Sequence, residues 1–497
     1  MRSAKELTGS PPLPPSWHIS PFSRSHVPPS SVMSSFRTRK KTISAWGHTY
    51  VPTPLHPTAQ VLAAHQKSWD TLADEALDLL TPLRAPSPPT SPTSPPKDLY
   101  TTLKEHRNTH SVLSRLWQQV DTVPEWVDWE QISRGQDVFY RYSGAMLAGL
   151  CYMSLLGGMG ASRIAEVLYR TGGFSAGVAR RRMFETMQHI LQCTQSLDSI
   201  KPGGAGQISS VKVRLLHAAV RKRILEIERR NPGYYSVKEF GVPVNDLDSI
   251  GTVASFSSNL VWGALPKQGL FLSSRETEDY IALWRLVAHY VGCPTHPFST
   301  PALARAYYDT LVTTQISPTP TSATLASNIL TAMTCQPPTY PTYDYLVASV
   351  HWVCPPALCD ALGLPPAQFS SKILVSARCI FNCCLGYTAR FVPWFDKWHG
   401  TAARRMMWKA IVLGETGLGG ETGFEFSYLP RLGRGTKAGK VVDTGVKGVR
   451  ERKGVKVLGI FLLVVGVLGV ALGWCLVWVA WALWAVGARG RCASEIL

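Results

Sequence analysis

The sequence predicts an all-α protein that ends in one transmembrane helix. Three observations predict it. Apolar residues recur at helical spacing from Leu99 to Leu413, alternating β-branched runs are scarce, and 32 consecutive residues near the C-terminus carry no charge. Of the 497 residues, 45% are hydrophobic and 17% charged, with 16 Trp, 17 Tyr and 16 Phe, which excludes a wholly disordered or fibrous chain.

Residues 1–57 are rich in Pro, Ser and Arg and read as a disordered basic tail. Pro11, Pro12, Pro14 and Pro15 break any early helix, and no apolar secretory core is present. Residues 58–98 read as one helix, through Val61, Leu62, Trp69, Leu72, Ala76, Leu77 and Leu80, followed by the Pro/Ser linker Thr81–Lys97. A catalytic-sized domain then spans 99–413. Its helical periods cover Leu103–Val120, Gly135–Leu156, Ala161–Tyr169, Val178–Leu197, Ser209–Arg229, Asp246–Leu260, Arg275–Val291 and Pro301–Thr313. A second group follows the loop at Ser317–Pro320: Ala323–Thr334, Tyr343–Trp352, Ala367–Tyr387 and Ala402–Val412. Residues 414–456 form a Gly-rich basic tether.

Val457–Ala488 is the uncharged run. About 20 helical residues cross a hydrocarbon core of about 30 Å, so it is long enough for one span and too short for two. Trp474, Trp478, Trp481 and Trp484 suit the interface. Lys447, Arg450, Arg452, Lys453 and Lys456 flank its N-terminal side, so the positive-inside rule keeps the large domain in the cytosol and leaves 489–497 as a short tail. The expectation is a tail-anchored protein.

The net charge of +18 is unevenly spread: residues 1–49 carry +6, 431–456 carry +7 and 457–497 carry +1, which leaves +4 for 50–430. No basic face is implied, and nucleic acid is not expected as a partner. The eleven cysteines show no C-x-x-C spacing. Cys379, Cys383 and Cys384 in CIFNCC read as small apolar packing residues of a reducing compartment.

No phosphate loop, dinucleotide fingerprint, G-x-S-x-G or H-E-x-x-H occurs. What remains is histidine in apolar helices. In VKVRLLHAAVRKRI, His217 lies three residues after Arg214 and four before Arg221, on one helix face beside Ala218 and Ala219. An axial imidazole flanked by arginines that can pair with propionates is what a haem needs; a satisfied core histidine between two surface arginines has the same pattern. His189 and His289 are competing ligands that read equally well as packing residues. Asn245, Asp246 and Asp248 in GVPVNDLD read as a helix N-cap and first-turn acids.

Six phrases occur in order: RGQDVFYRYSGAMLAGLCYMSLLGG, IAEVLYRTGGF, RRRMFET, VRLLHAAVR, GVPVNDLDSIGTVASFS and IALWRLVAHYVG. Over Trp126 to Leu311 they resemble the family of latex-clearing (rubber) oxygenases and fungal ER-bound oxygenases of the mycophenolic-acid type. The resemblance implies a globin-like helical core around haem b, with iron that activates O₂ to cleave an isoprenoid C=C bond. It implies His217 as the proximal iron ligand, with Arg214 and Arg221 beside the haem, and Arg182 and Thr186 as the distal element. It implies Glu166 as a carboxylate near the oxidised double bond. Glu185 departs from the family, which carries a lysine there. It either redefines the distal pocket or forms an ion pair with Arg182 or Arg181.

The expectation is therefore a tail-anchored haem oxygenase of the endoplasmic reticulum membrane that acts on a lipophilic, prenylated small molecule with O₂, its C-terminal helix in lipid. A peroxidase or dehydratase of the same fold, and a non-catalytic membrane-tethered binding protein, are the rivals.

Overall fold

The computed structural model describes residues 42–83, 98–423 and 429–430. The expected span Val457–Ala488, the basic part of the tether, most of the Pro/Ser linker and the first 41 residues lie outside the described residues.

Order begins earlier than the composition suggests. Residues 43–50, expected to be disordered, form an antiparallel hairpin of β1 (Ile43–Ala45) and β2 (His48–Tyr50). Trp46 and Gly47 at its tip both have positive φ, as a tight two-residue hairpin turn requires. Tertiary contacts hold it: the Trp46 indole donates to the carbonyl of Ile316 at 2.9 Å, and His48 Nε2 to Asp309 Oδ1 at 2.8 Å. Such anchors far along the chain are invisible to local composition.

The region expected to be one helix before the linker is two, α1 (Ala59–Lys67) and α2 (Thr71–Leu83), broken at Ser68–Asp70. Neither stands apart from the domain. Leu62, Ala73, Ala76, Leu77 and Leu80 are buried in its main core. The helices α3 (Leu99–His106) and α4 (Ser111–Asp121) replace a single expected helix, because the His110 side chain caps a fresh start. Then come α5 (Trp129–Arg141) and α6 (Ser143–Ala148), which runs on as a π-helical stretch, Gly149–Leu156, and a 3₁₀ turn, Gly157–Gly160. The span Ser143–Gly160 is long and apolar enough to cross a membrane, but 61% of it is buried inside the protein, as a core element is.

Next follow α7 (Ser162–Thr171), α8 (Ala179–Thr194), α9 (Leu197–Ile200), α10 (Ala205–Arg230), α11 (Val237–Phe240) and α12 (Asp246–Phe256). A π-turn leads into α13 (Leu265–Lys267), then α14 (Ser274–Tyr290) and α15 (Pro301–Thr314). The second group is α16 (Pro320–Met333), α17 (Tyr343–Val353), α18 (Pro356–Ala361), α19 (Phe369–Phe391) and α20 (Pro393–Trp408), closed by a π-turn at Lys409–Leu413. Thr, Ser or Asn side chains cap the starts of α9, α11, α12, α14, α15, α16 and α17.

The all-α expectation holds for the described residues, where β1 and β2 are the exception. At the centre, α5 packs closely on α14. A Cβ at Gly135 would lie 2.4 Å from the Asp279 carbonyl oxygen, so only glycine permits this approach, and the Arg134–Asp279 pair at 2.9 Å clamps it. A second apolar cluster joins the Ala148–Met159 stretch to α16, α17 and α18. The space enclosed by these two bodies of packing holds the site.

Candidate functional site

A cavity of about 1170 Å³ is bounded by α7, α8, α10, α12, the π-helical stretch, α17 and the start of α19. Its wall is chiefly apolar, with Met153, Met183, Met187, Ile190, Leu216, Val220 and Phe256 among the lining side chains. This exceeds the roughly 300–1,000 Å³ common for one small-molecule site.

α10 turns His217 into the cavity together with Leu216 and Val220. Among the described residues the imidazole makes no hydrogen bond, and burial, with Arg221 and Arg182 nearby, lowers its pKa to about 4. It is neutral at physiological pH, with lone-pair density available to a metal or a donor. The competing histidines are engaged elsewhere and do not line the cavity: His189 Nδ1 is hydrogen-bonded to Ser209 Oγ at 2.9 Å, and His289 Nε2 donates to the Gln119 carbonyl at 2.9 Å.

The flanking arginines depart from expectation. Arg214 and Arg221, read as haem neighbours, are buried against the break between α1 and α2. Arg214 donates to Asp70 at 2.5 and 2.9 Å and to Gln119 at 3.0 Å. Arg221 donates to Asp74 at 2.6 Å and to the Val244 carbonyl at 2.9 Å. Neither lines the cavity. Their acids lie in 58–98, ahead of the 99–413 domain that the sequence predicts, so spacing on α10 alone does not show the pairing.

The α8 residues divide. Arg182 and Thr186 line the cavity, and the Thr186 hydroxyl donates to the Arg182 carbonyl at 3.1 Å. Glu185 is buried and does not line it. It accepts from Arg182 Nη1 at 2.9 Å and pairs with Arg181 at 3.4 Å, so the ion-pair alternative describes it and a role at the cavity surface does not. Glu166 also lies off the cavity, paired with Arg170, whose guanidinium stacks on Tyr234 and Tyr235. The reason is helical phase: Arg163, Ile164, Val167, Leu168 and Thr171 form the cavity stripe of α7, and Glu166 and Arg170 share another.

Three polar groups in the wall were not anticipated. Arg163 donates to Asp248 at 2.9 and 3.1 Å and to Gln315 at 2.6 Å, and all three line the cavity. Burial raises the Asp248 pKa, while Arg163 and Asn245 oppose the rise. Asn245 is the N-cap that the sequence suggested, accepting from the Asp248 amide at 2.9 Å; the acid's second role needed α7 beside it. Lys267 donates to the Val353 carbonyl at 2.6 Å. Arg378 lies over the rings of Tyr152 and Tyr345 and donates through Nη1 to Tyr345 Oη and Ser349 Oγ, both at 3.1 Å. Its Nε and Nη2 are buried without a partner, and no carboxylate pairs with it among the described residues. The RxxxT phrase pointed to α8, but no sequence signal marked Arg378.

No group of three or more His, Cys, Asp or Glu among the described residues could hold a bare metal ion. A metal complex that brings its own in-plane ligands needs one imidazole, which His217 offers. Fold and site thus define an all-α protein whose large apolar cavity exposes one neutral, unpartnered imidazole. Residues 140–378 match the family described as ER-bound oxygenase mpaB/B'/rubber oxygenase, catalytic domain, which supports the resemblance to that family over this part of the chain. Among solved structures, the latex clearing protein LCP in the closed state is similar, with 17% sequence identity over 69% of this chain and 90% of that one and a TM-score of 0.49. No curated protein matches the chain.

Proposed function

We propose that the chain is a haem-dependent oxygenase that oxidises or cleaves a C=C bond of a lipophilic, isoprenoid-bearing small molecule. The observation that carries the reading is His217, a neutral imidazole without a hydrogen bond that faces a cavity large enough for a planar cofactor and a second ligand. The residues fit haem b. His217 would hold the iron, and Arg378, whose Nε and Nη2 are unpaired, is the wall cation suited to a haem carboxylate in place of Arg214 and Arg221. Bound there, haem b would supply the activation of O₂.

The chain's own residues do the rest. The methionine, leucine and phenylalanine wall takes the apolar substrate and excludes water. Arg182, paired with Glu185 and lining the cavity, would offer a positive charge to an oxygen-derived anion bound there. Thr186, tied to the Arg182 carbonyl, fixes a hydroxyl in the same wall. Glu166 is held by Arg170 off the cavity, so a proton-removing role there requires that pair to open. The family name supports an endoplasmic-reticulum location, and the uncharged run Val457–Ala488 supports a C-terminal anchor with this domain in the cytosol.

The test is the absorption spectrum and pyridine-haemochrome content of the purified full chain. Haem near one per chain is expected, lost in His217→Ala and retained in His189→Ala and His289→Ala. A wild type without haem after expression with haem precursor would overturn the oxygenase reading in favour of a binding protein. Dioxygen uptake with a prenylated substrate separates an oxygenase from a peroxidase or dehydratase.

A further inference from the structure

The sequence-level charge balance of residues 50–430 conceals an asymmetry. Within 369–413 there are seven Lys and Arg against Asp396 alone, and Asp396 is taken by Arg141. The same segment holds eight of the fifteen large apolar side chains that are exposed among the described residues. On α19, Phe369, Ile373, Ile380 and Phe391 recur at intervals of four, seven and eleven, a single helical stripe, with Cys384 exposed on the same stripe. On α20, Trp394 and Trp398 stand one turn apart and Met406 follows, with Leu413 at the end of the π-turn. Phe369 is 78% exposed and Trp394 72%. Lys372, Lys397, Arg405 and Lys409 border these residues, all exposed and without an ion-pair partner among the described residues.

We propose that α19, α20 and the π-turn after them form an interfacial face by which the catalytic domain lies against an anionic lipid bilayer. Exposed Trp and Phe with long aliphatics, rimmed by lysine and arginine that can reach headgroups, are the composition of a surface that enters the acyl–headgroup boundary. The cations complement anionic lipid.

The face also borders the cavity. Gln368 and Ser370, both exposed, line it on either side of Phe369. A lipophilic substrate would therefore enter from lipid beside Phe369; that part rests on the proposed function, whereas the docking does not. The stretch from 431 to 456, 26 residues, can extend to about 90 Å, so a C-terminal anchor would leave the domain free to choose its contact and the face would decide it.

The test labels Cys384 with an environment-sensitive fluorophore in the full chain, reconstituted in vesicles of phosphatidylcholine with phosphatidylserine. Cys384→Ser sets the background, and Cys384→Ser with Ser111→Cys is the control site. Docking predicts a blue shift and at least about twofold quenching by brominated acyl chains at Cys384 and neither at residue 111, with Trp394→Glu/Trp398→Glu abolishing both changes while haem content stays at the wild-type level. An unshifted label on chains that float with vesicles means anchoring by another segment alone and overturns docking. A label already shielded without vesicles overturns it in favour of a second copy or the chain's own C-terminal segment on the face. Loss of haem in the wild type with docking intact would sink the proposed function and leave this inference standing.

Discussion

Arg182 and Glu185 lie one helical turn apart on α8 and are joined at 2.9 Å, yet the guanidinium borders the cavity and the carboxylate does not. The ion pair makes Glu185 a support for the cavity-facing Arg182. Glu185→Gln is expected to lower stability by about 1–3 kcal/mol, by weakening a buried charge-assisted bond. Glu185→Lys should cost more, because it places a third cation beside Arg181 and Arg182. Denaturant titration measures both. A Glu185→Lys protein as stable as the wild type would mean that the side chain is not held as described.

The Arg221–Asp74 pair makes residues before the linker part of the domain. Breaking a buried pair on one side costs about 3–5 kcal/mol, so Asp74→Asn should destabilise strongly. A double-mutant cycle with Arg221→Gln should show a coupling of at least about 1 kcal/mol. Additive effects would return Arg221 to the haem.

His217 makes the cofactor-free protein sensitive to acid. Its pKa is about 4 in the folded state against an ordinary 6.5, so the unfolded chain takes up the proton first as pH falls. Stability is fully present above pH 6.5 and is lost toward pH 4, by about 3 kcal/mol at about 1.4 kcal/mol per unit. His189, also lowered to about 4 by burial and by His217, adds to the same window. Unfolding curves from pH 7.5 to 4 should flatten in His217→Gln, and an unchanged slope would contradict the buried neutral imidazole.

Arg378 gives a prediction of opposite sign. Its charge has no carboxylate partner, so Arg378→Met should change the stability of the cofactor-free protein by no more than about 1 kcal/mol, the lost bonds to Tyr345 and Ser349 being offset by removal of a buried charge. Haem retention should fall severalfold. Full haem retention in Arg378→Met, counted as pyridine haemochrome, would free Arg378 of the carboxylate role.

Much of the helical framework was legible because burial of one face imposes its period on the chain. The expected Val178–Leu197 corresponds to α8, Ser209–Arg229 to α10 and Arg275–Val291 to α14, each within a few residues. Breaks were less legible. The interruptions at Ser68–Asp70 and at His110 are made by capping groups and by partners elsewhere, while the apolar pattern runs straight through them.

The sequence by itself determined the helical class, the resemblance to an oxygenase family and the uncharged C-terminal run. These are properties of order, period and composition, which a single strand of residues carries. Tertiary structure alone decided which charges meet. Arg214 and Arg221 went to acids more than a hundred residues away. Arg378 was left uncompensated beside the cavity, and the basic residues of α19 and α20 were gathered with exposed tryptophans on consecutive helices. A buried charge takes the nearest partner that packing supplies, and packing brings together residues that the sequence keeps apart.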